Sequence, residues 1–337
     1  MVHKNLTVRE IPIMRAIIPV AGQGTRLRPH THTVPKVLLQ VAGKPIIGHI
    51  LDQLQPLGID ELVLVVGYLG EMVQEYVRSH YSYKTTYVEQ KELLGLGHAI
   101  YLATQKTGPG PALIILGDTI FRADLHPVQN SKCALLGVKP VEDPRRFGIA
   151  QIANGRVVRL VEKPDRPSSN LAIVGIYYVP DLRPLAECLQ TIVEEKRTTK
   201  GEFQLTDALE LLLQRGLEMR PLPVEGWLDC GERETLLDTN RQLLISKGYH
   251  RSLENSIIID PVYIADSAII DHSIIGPFVS VAENSTIERS VLRDSIVNQG
   301  ATVRNTCLEQ SIVGENAVVF GRMSHLNVGD SSEIDFT

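Results

Sequence analysis

The run Ala16-Ile17-Ile18-Pro19-Val20-Ala21-Gly22-Gln23-Gly24-Thr25-Arg26-Leu27-Arg28-Pro29, followed by Pro35-Lys36, decides how this chain is read. Its first five residues are apolar and read as a buried strand. The strand opens into a glycine-rich turn, where bare backbone N–H groups are presented with no Cβ to hold a ligand off. Arg26 and Lys36 add positive charge on either side of that turn. From Ile11 to Leu51 there is no Asp or Glu, although the whole chain carries a net charge of −5. A surplus of donors and cations in an otherwise acidic protein implies a place for a polyphosphate.

Two common phosphate loops are excluded by spacing. A P-loop needs Gly, four residues, then Gly-Lys-Ser/Thr, and no such run occurs. The dinucleotide fingerprint needs a third glycine where Leu27 stands. A tight turn with solvated cations is the plain alternative for a lone Gly-X-Gly. The added arginines, Thr25 and the downstream Pro35-Lys36 weigh against it.

Outward from this run, apolar segments of strand length recur at Glu61–Val66, Ala112–Leu116, Ala134–Val138 and Ala172–Val179. Helical patterns lie between them. Ile47, Ile50, Leu51 and Leu54 share one face, as do Leu205, Ala208, Leu209 and Leu212. Strands alternating with helices predict a Rossmann-like, mostly parallel α/β sheet covered on both faces. Ligands then sit beyond the carboxyl ends of the strands, where the Gly22 turn would lie. A further helix is expected from Arg233 to about Ser246.

After about His250 the texture changes. Aliphatic residues recur at Ile264, Ile270, Ile275, Val281, Ile287, Leu292, Val297, Val303, Leu308, Val313 and Val319, every step being five or six residues. Small residues such as Ser285 and Ala317 follow four positions later. This is the hexapeptide texture of a left-handed parallel β-helix, in which one aliphatic per face fills the axis and small residues fit tight corners. Stacked repeats need several coils to bury a continuous core, and about three to four are expected here. The chain is therefore divided into domains at 1–248 and 249–337.

At 337 residues, with 43% hydrophobic and 22% charged residues, the chain has material for two globular domains. Its acidic balance argues against a nucleic-acid surface. The four cysteines are scattered without a Cys-X-X-Cys pair, which fits thiols in a reducing compartment. No N-terminal stretch has the length of a membrane span, so a cytoplasmic protein that binds neither nucleic acid nor membrane is expected.

The Gly24-Thr25-Arg26-Leu27-Arg28-Pro29 and Pro35-Lys36 pattern resembles the nucleotidyltransferase family that joins sugar 1-phosphates to nucleoside triphosphates. Further segments follow in the family's order: Tyr87-Val88-Glu89-Gln90, Leu94-Gly95-Leu96-Gly97-His98-Ala99, Leu116-Gly117-Asp118, Phe147-Gly148, Val161-Glu162-Lys163-Pro164, Ser169–Gly175, Gly201–Asp207 and Trp227-Leu228-Asp229-Cys230-Gly231. With its repeat tail the chain is similar to the long form of glucose-1-phosphate thymidylyltransferases, and uridylyltransferases share the segments around Gln90 and Ser169. Leu94 and Gly97 depart from the usual proline and alanine.

The resemblance implies roles. Ala21, Gly22, Gly24, Thr25, Arg26, Gln90, Gly95 and Asp118 would hold the nucleotide, with Gln90 pairing to a pyrimidine edge. Gly148, Glu162, Lys163 and Ile173 would hold the sugar phosphate, with Arg26, Lys36 and Lys163 catalytic. Asp118 and Asp229 would bind Mg²⁺, although either aspartate alone could serve a turn or helix end. Thr206 would cap the following helix, and Trp227 is packing or pocket wall. The expected reaction transfers a nucleotidyl group from dTTP or UTP to glucose 1-phosphate or a related sugar 1-phosphate, in a homo-oligomer. A non-catalytic regulator is a second possibility. A bifunctional acyltransferase is a third, for which the repeats offer two histidines, His272 and His325.

Overall fold

The computed structural model describes residues 14–321. His325 and the apolar residues before Met14 lie outside them. The chain forms two compact units. One takes in the chain up to Leu39 and Pro45–Thr235; the other takes in Gln40–Lys44 and the chain from Leu236.

The first unit is built on a nine-stranded sheet. Its parallel half runs Lys84–Glu89, Glu61–Val66, Arg15–Pro19, Ala112–Ile115, each strand beside the next. Leu171–Val179 lies antiparallel to the last of these and also pairs with Ala134–Pro140 and Gly148–Ala153. Arg156–Glu162 returns along Gly148–Ala153, and Met219–Pro223 runs parallel to Ala134–Pro140. The sheet is thus mixed. Asn154 and Gly155 supply the reason for one antiparallel pair: both have positive φ, 52° and 73°, the backbone that closes a two-residue hairpin.

The helical periodicities seen in the sequence mark buried faces. Ile47, Ile50, Leu51 and Leu54 of helix Ile46–Leu54 are fully buried, as are Ala208, Leu209 and Leu212 of helix Leu205–Gln214 to within a per cent. Helices Leu96–Thr104, Leu182–Glu194 and Leu205–Gln214 share one apolar cluster with the sheet. No helix of the described residues is long and apolar enough to cross a membrane.

The second unit carries three four-stranded parallel sheets, the faces of a left-handed β-helix. Eight of the eleven aliphatic positions singled out above are buried in its core cluster, and Ile270, Leu308 and Val319, partly buried, pack against it. They stack in columns: Ile264, Val281, Val297 and Val313 on one face, Ile270, Ile287, Val303 and Val319 on the next, Ile275, Leu292 and Leu308 on the third. Corners are turned by left-handed residues that also stack, such as Asn284, Gly300 and Asn316. A serine ladder runs up another corner: Ser256, Ser273 and Ser290 each accept the backbone N–H of the residue one coil on.

Helix Arg233–Lys247 explains why this unit begins at Leu236 and not after residue 248. Asn240 is fully buried. Its Oδ1 accepts from Ala42 N at 2.8 Å and Ser280 Oγ at 2.6 Å, and its Nδ2 donates to Phe278 O at 3.2 Å. Ala42 lies in the short hairpin of strands Gln40–Val41 and Lys44–Pro45, which meets the coils at Gly43, where a Cβ would stand 2.3 Å from the Tyr263 ring.

Replacing the fully buried Ile287 by Ala leaves a void on the β-helix axis and should cost about 2–5 kcal/mol in urea unfolding. The outward Ile269→Ala should change stability by less than about 0.5 kcal/mol.

Candidate active site

Strands Arg15–Pro19 and Ala112–Ile115 are parallel neighbours, so their carboxyl ends emerge together. Val20 is buried against Gly117, where a Cβ would lie 2.5 Å from Val20 Cγ1 and 2.8 Å from Pro19 O. This close approach sets Asp118 beside the glycine turn. Gly24 takes left-handed backbone (φ 60°), and a Cβ there would press on Lys36 Cβ and Thr31 Cγ2 at 3.0 Å each. Thr31 Oγ1 donates to Gly24 O at 2.8 Å, and buried Leu27 anchors the short helical turn Thr25–Leu27. Around Gly22 no heavy atom lies within 4 Å of where a Cβ would be. Gly24 therefore serves the turn, while Gly22 faces open space.

Ala21, Gly22, Gly24, Thr25, Arg26, Gln90, Gly95 and Asp118, together with Lys36, line one cleft of 520 Å³. Lys36, 8% exposed, reaches Asp118 Oδ2 at 2.7 Å. Burial pushes the Asp118 carboxyl up, but the Lys36 charge and hydrogen bond, helped by Thr119, hold it below its ordinary value. Asp229 is the opposite case. Burial, then the charge of Asp118, raise its carboxyl against the pull of Lys36, Arg26 and the local backbone. Strand Gly226–Asp229 is antiparallel to Thr119–Arg122, with Asp229 opposite Thr119, which brings Asp229 within reach of the Asp118 charge.

Gly95 (φ 105°) has a packing reason to be glycine, since a Cβ would stand 2.7 Å from Phe203 O and 2.8 Å from Glu202 Cβ. The turn is stitched by Gly97 N to Phe203 O at 2.7 Å and Phe203 N to Leu94 O at 2.9 Å. The Gly201–Asp207 segment thus braces the turn that carries Gly95.

Gly148, Glu162, Lys163 and Ile173 form a second cluster outside that cleft lining. A Cβ on Gly148 would meet Glu162 Oε2 at 2.8 Å, Ile173 Cδ1 at 3.1 Å and Thr206 Oγ1 at 3.1 Å. Thr206 does not cap its helix. The N-terminal flanking residue is Gln204, and Thr206 lies within the first turn, donating to Glu162 Oε2 at 2.6 Å. Lys163 Nζ lies 3.7 Å from Glu162 Oε1, and its backbone is left-handed (φ 42°), fixed by Lys163 N to Phe147 O at 3.1 Å. A lysine in that region is strained, which is common where geometry serves a site. Buried Tyr177 joins the clusters: burial raises its phenol, and the charges of Glu162 and then Asp118 raise it further.

Some residues carried no signal in the sequence. Glu232 pairs with Arg26 at 2.6 Å, and Arg146 approaches the same Glu232 oxygen at 3.6 Å. Trp227, which the sequence did single out, is half-buried and packs edge-on to Phe147 at 4.7 Å.

With no metal added, ionising Asp229 beside Asp118 costs folding stability as pH rises through its raised pKa. Asp229→Asn in chelator should therefore raise Tm by about 2 °C near neutral pH. The gain should vanish once the wild-type carboxyl is protonated at low pH, and differential scanning calorimetry across pH would read both.

Residues 15–246 match the family described as nucleotidyl transferase. A glucose-1-phosphate thymidylyltransferase of Streptomyces griseus is 30% identical over 91% of this chain and 93% of its own. A UTP–glucose-1-phosphate uridylyltransferase of Haloferax volcanii is 33% identical over 68% of this chain and 96% of its own. The crystal structure of a UDP-glucose pyrophosphorylase complexed with UDP-glucose superposes with a TM-score of 0.60 at 25% identity, covering 69% of this chain and 99% of that one.

Proposed function

The chain belongs to the nucleotidyl transferase family, and on that premise we propose that it transfers a nucleotidyl group from dTTP or UTP to glucose 1-phosphate or a related sugar 1-phosphate, releasing pyrophosphate. One observation carries the proposal: a glycine turn with open space at Gly22, a buried Lys36 and Asp118 share one cleft. Relatives with thymidylyl and uridylyl names support both nucleotides.

The chemistry is an in-line displacement. An oxygen of the sugar phosphate attacks the α-phosphorus and pyrophosphate leaves opposite. That oxygen is already anionic near neutral pH, so no general base is needed. The protein's work is to hold two polyanions in line and offset their charge. Backbone N–H groups of Ala21, Gly22, Gly24 and Thr25 would receive the triphosphate, with Arg26 on its leaving end. Lys36 would meet the central phosphate. Gln90 and Gly95 would meet the base. Gly148, Glu162, Lys163 and Ile173 would hold the sugar phosphate, Lys163 toward the attacking group.

The donor set fits a hard divalent ion: two carboxylates lie at the ends of neighbouring strands, and the Asp229 carboxyl is raised by burial and then by the charge of Asp118. Asp118 and Asp229, with phosphate oxygens, would hold Mg²⁺, which supplies further neutralisation of phosphate charge. A cytoplasmic homo-oligomer belongs to the same proposal. The thiols of Cys133, Cys188 and Cys307 support a reducing compartment, and outward apolar side chains of the coils, among them Ile257 and Phe320, support a subunit contact.

The decisive assay measures pyrophosphate release for dTTP and each common NTP against a panel of sugar 1-phosphates with Mg²⁺. Lys36→Ala, Arg26→Ala or Asp118→Ala should each lower turnover at least about a hundredfold with the fold intact. Wild-type rates in all three would refute the assignment. Glu232→Gln frees Arg26 for the incoming triphosphate. It should lower the KM for the NTP up to about fivefold with kcat unchanged, the scale of an exposed ion pair.

A further inference from the structure

Two contacts fix which way round the Gln90 amide sits. Gln90 is 6% exposed, and its Nε2 lies 3.3 Å from the carbonyl oxygen of Gly95 and 3.3 Å from Nδ1 of His98. A backbone carbonyl can only accept, so the nitrogen, and not Oε1, must face Gly95. His98 Nδ1 accepts the second amide hydrogen when the neutral ring carries its proton on Nε2. Both hydrogens of the amide are then engaged. Oε1, a pure acceptor, is what Gln90 has left to offer the cleft that it lines.

An acceptor there discriminates between pyrimidines. Uracil and thymine carry a hydrogen on N3, whereas N3 of cytosine is a bare lone pair. Two acceptors would then face each other in a desolvated place, and such an unmade hydrogen bond is costly. Rotating the amide by half a turn would reverse the preference, but would set Oε1 against the Gly95 carbonyl and His98 Nδ1.

We propose that His98 is a positioning residue for base choice: it locks the Gln90 amide with its oxygen toward the base, selecting nucleotides that carry N3–H. The inference rests on the nucleotidyl transfer proposed above and on Gln90 lying against the base. His98 sits in the first turns of helix Leu96–Thr104, started by the Gly95 turn that the Phe203 segment braces. Both partners of the amide therefore come from one rigid piece. The His98 and Phe203 rings lie 6.3 Å apart.

The test compares wild type, His98→Leu and His98→Asn. Asparagine can set an acceptor oxygen near the position of Nδ1, and leucine cannot. The readout is kcat/KM for UTP and dTTP divided by that for CTP, with Kd for each nucleotide measured without sugar phosphate. His98→Leu should lower the ratio about tenfold, the effect of one hydrogen bond, through KM and Kd and not through kcat. His98→Asn should keep the ratio within about twofold of wild type. If leucine at 98 fails to fold, His98→Phe replaces it, keeping a ring beside Phe203 without an acceptor. An unchanged ratio in the leucine or phenylalanine variant overturns the inference while leaving nucleotidyl transfer standing. So does an asparagine variant that falls as far as leucine, because lost packing then explains both. If the wild-type protein transfers no nucleotide, or only purines, the proposed function falls and the inference goes with it.

Discussion

A buried ammonium needs a partner, and Lys36 finds one in Asp118 at 2.7 Å. The pair ties the turn after the first strand to the end of the neighbouring strand. It requires those strands to be parallel and adjacent, and it requires Gly117 and Gly24 to have no side chain, because Val20 and Lys36 occupy that space. The cleft follows from this packing. Its walls are strand ends and braced turns, so the groups facing it are held by the sheet itself.

The same place stores unfavourable energy. Asp229 is set against Asp118, and Lys163 is held in left-handed backbone. The cation proposed above would offset the repulsion at Asp229, while the left-handed turn at Lys163 is held by its own backbone hydrogen bond to Phe147. Glu232 sets an internal anion 2.6 Å from Arg26, the guanidinium that the proposed function assigns to phosphate.

The β-helix obeys a different logic. Each coil buries its aliphatic residues only by stacking on the next, so its stability lies in repeated neighbour contacts. Asn240 and the hairpin around Ala42 and Gly43 belong to the same unit, meeting backbone groups of that hairpin and of the coils with one buried amide.

Local periodicity was readable from the chain alone. The eleven aliphatics of the tail all face one core, and the helix faces at 47–54 and 205–212 are buried, because burial repeats with the geometry of each element. The glycine turn after an apolar strand was equally legible, since strand end, glycine and cation are close in sequence. What tertiary structure decided lies between residues with no local signature. Arg26 meets Glu232 across 206 positions, Thr206 turns to Glu162 in place of capping its helix, and residues 236–248 join the second unit through Asn240. The antiparallel half of the sheet and the orientation of the Gln90 amide are of the same kind. Periodicity tells a residue which side of its own element is buried, but only the folded chain brings it the partner that it meets there.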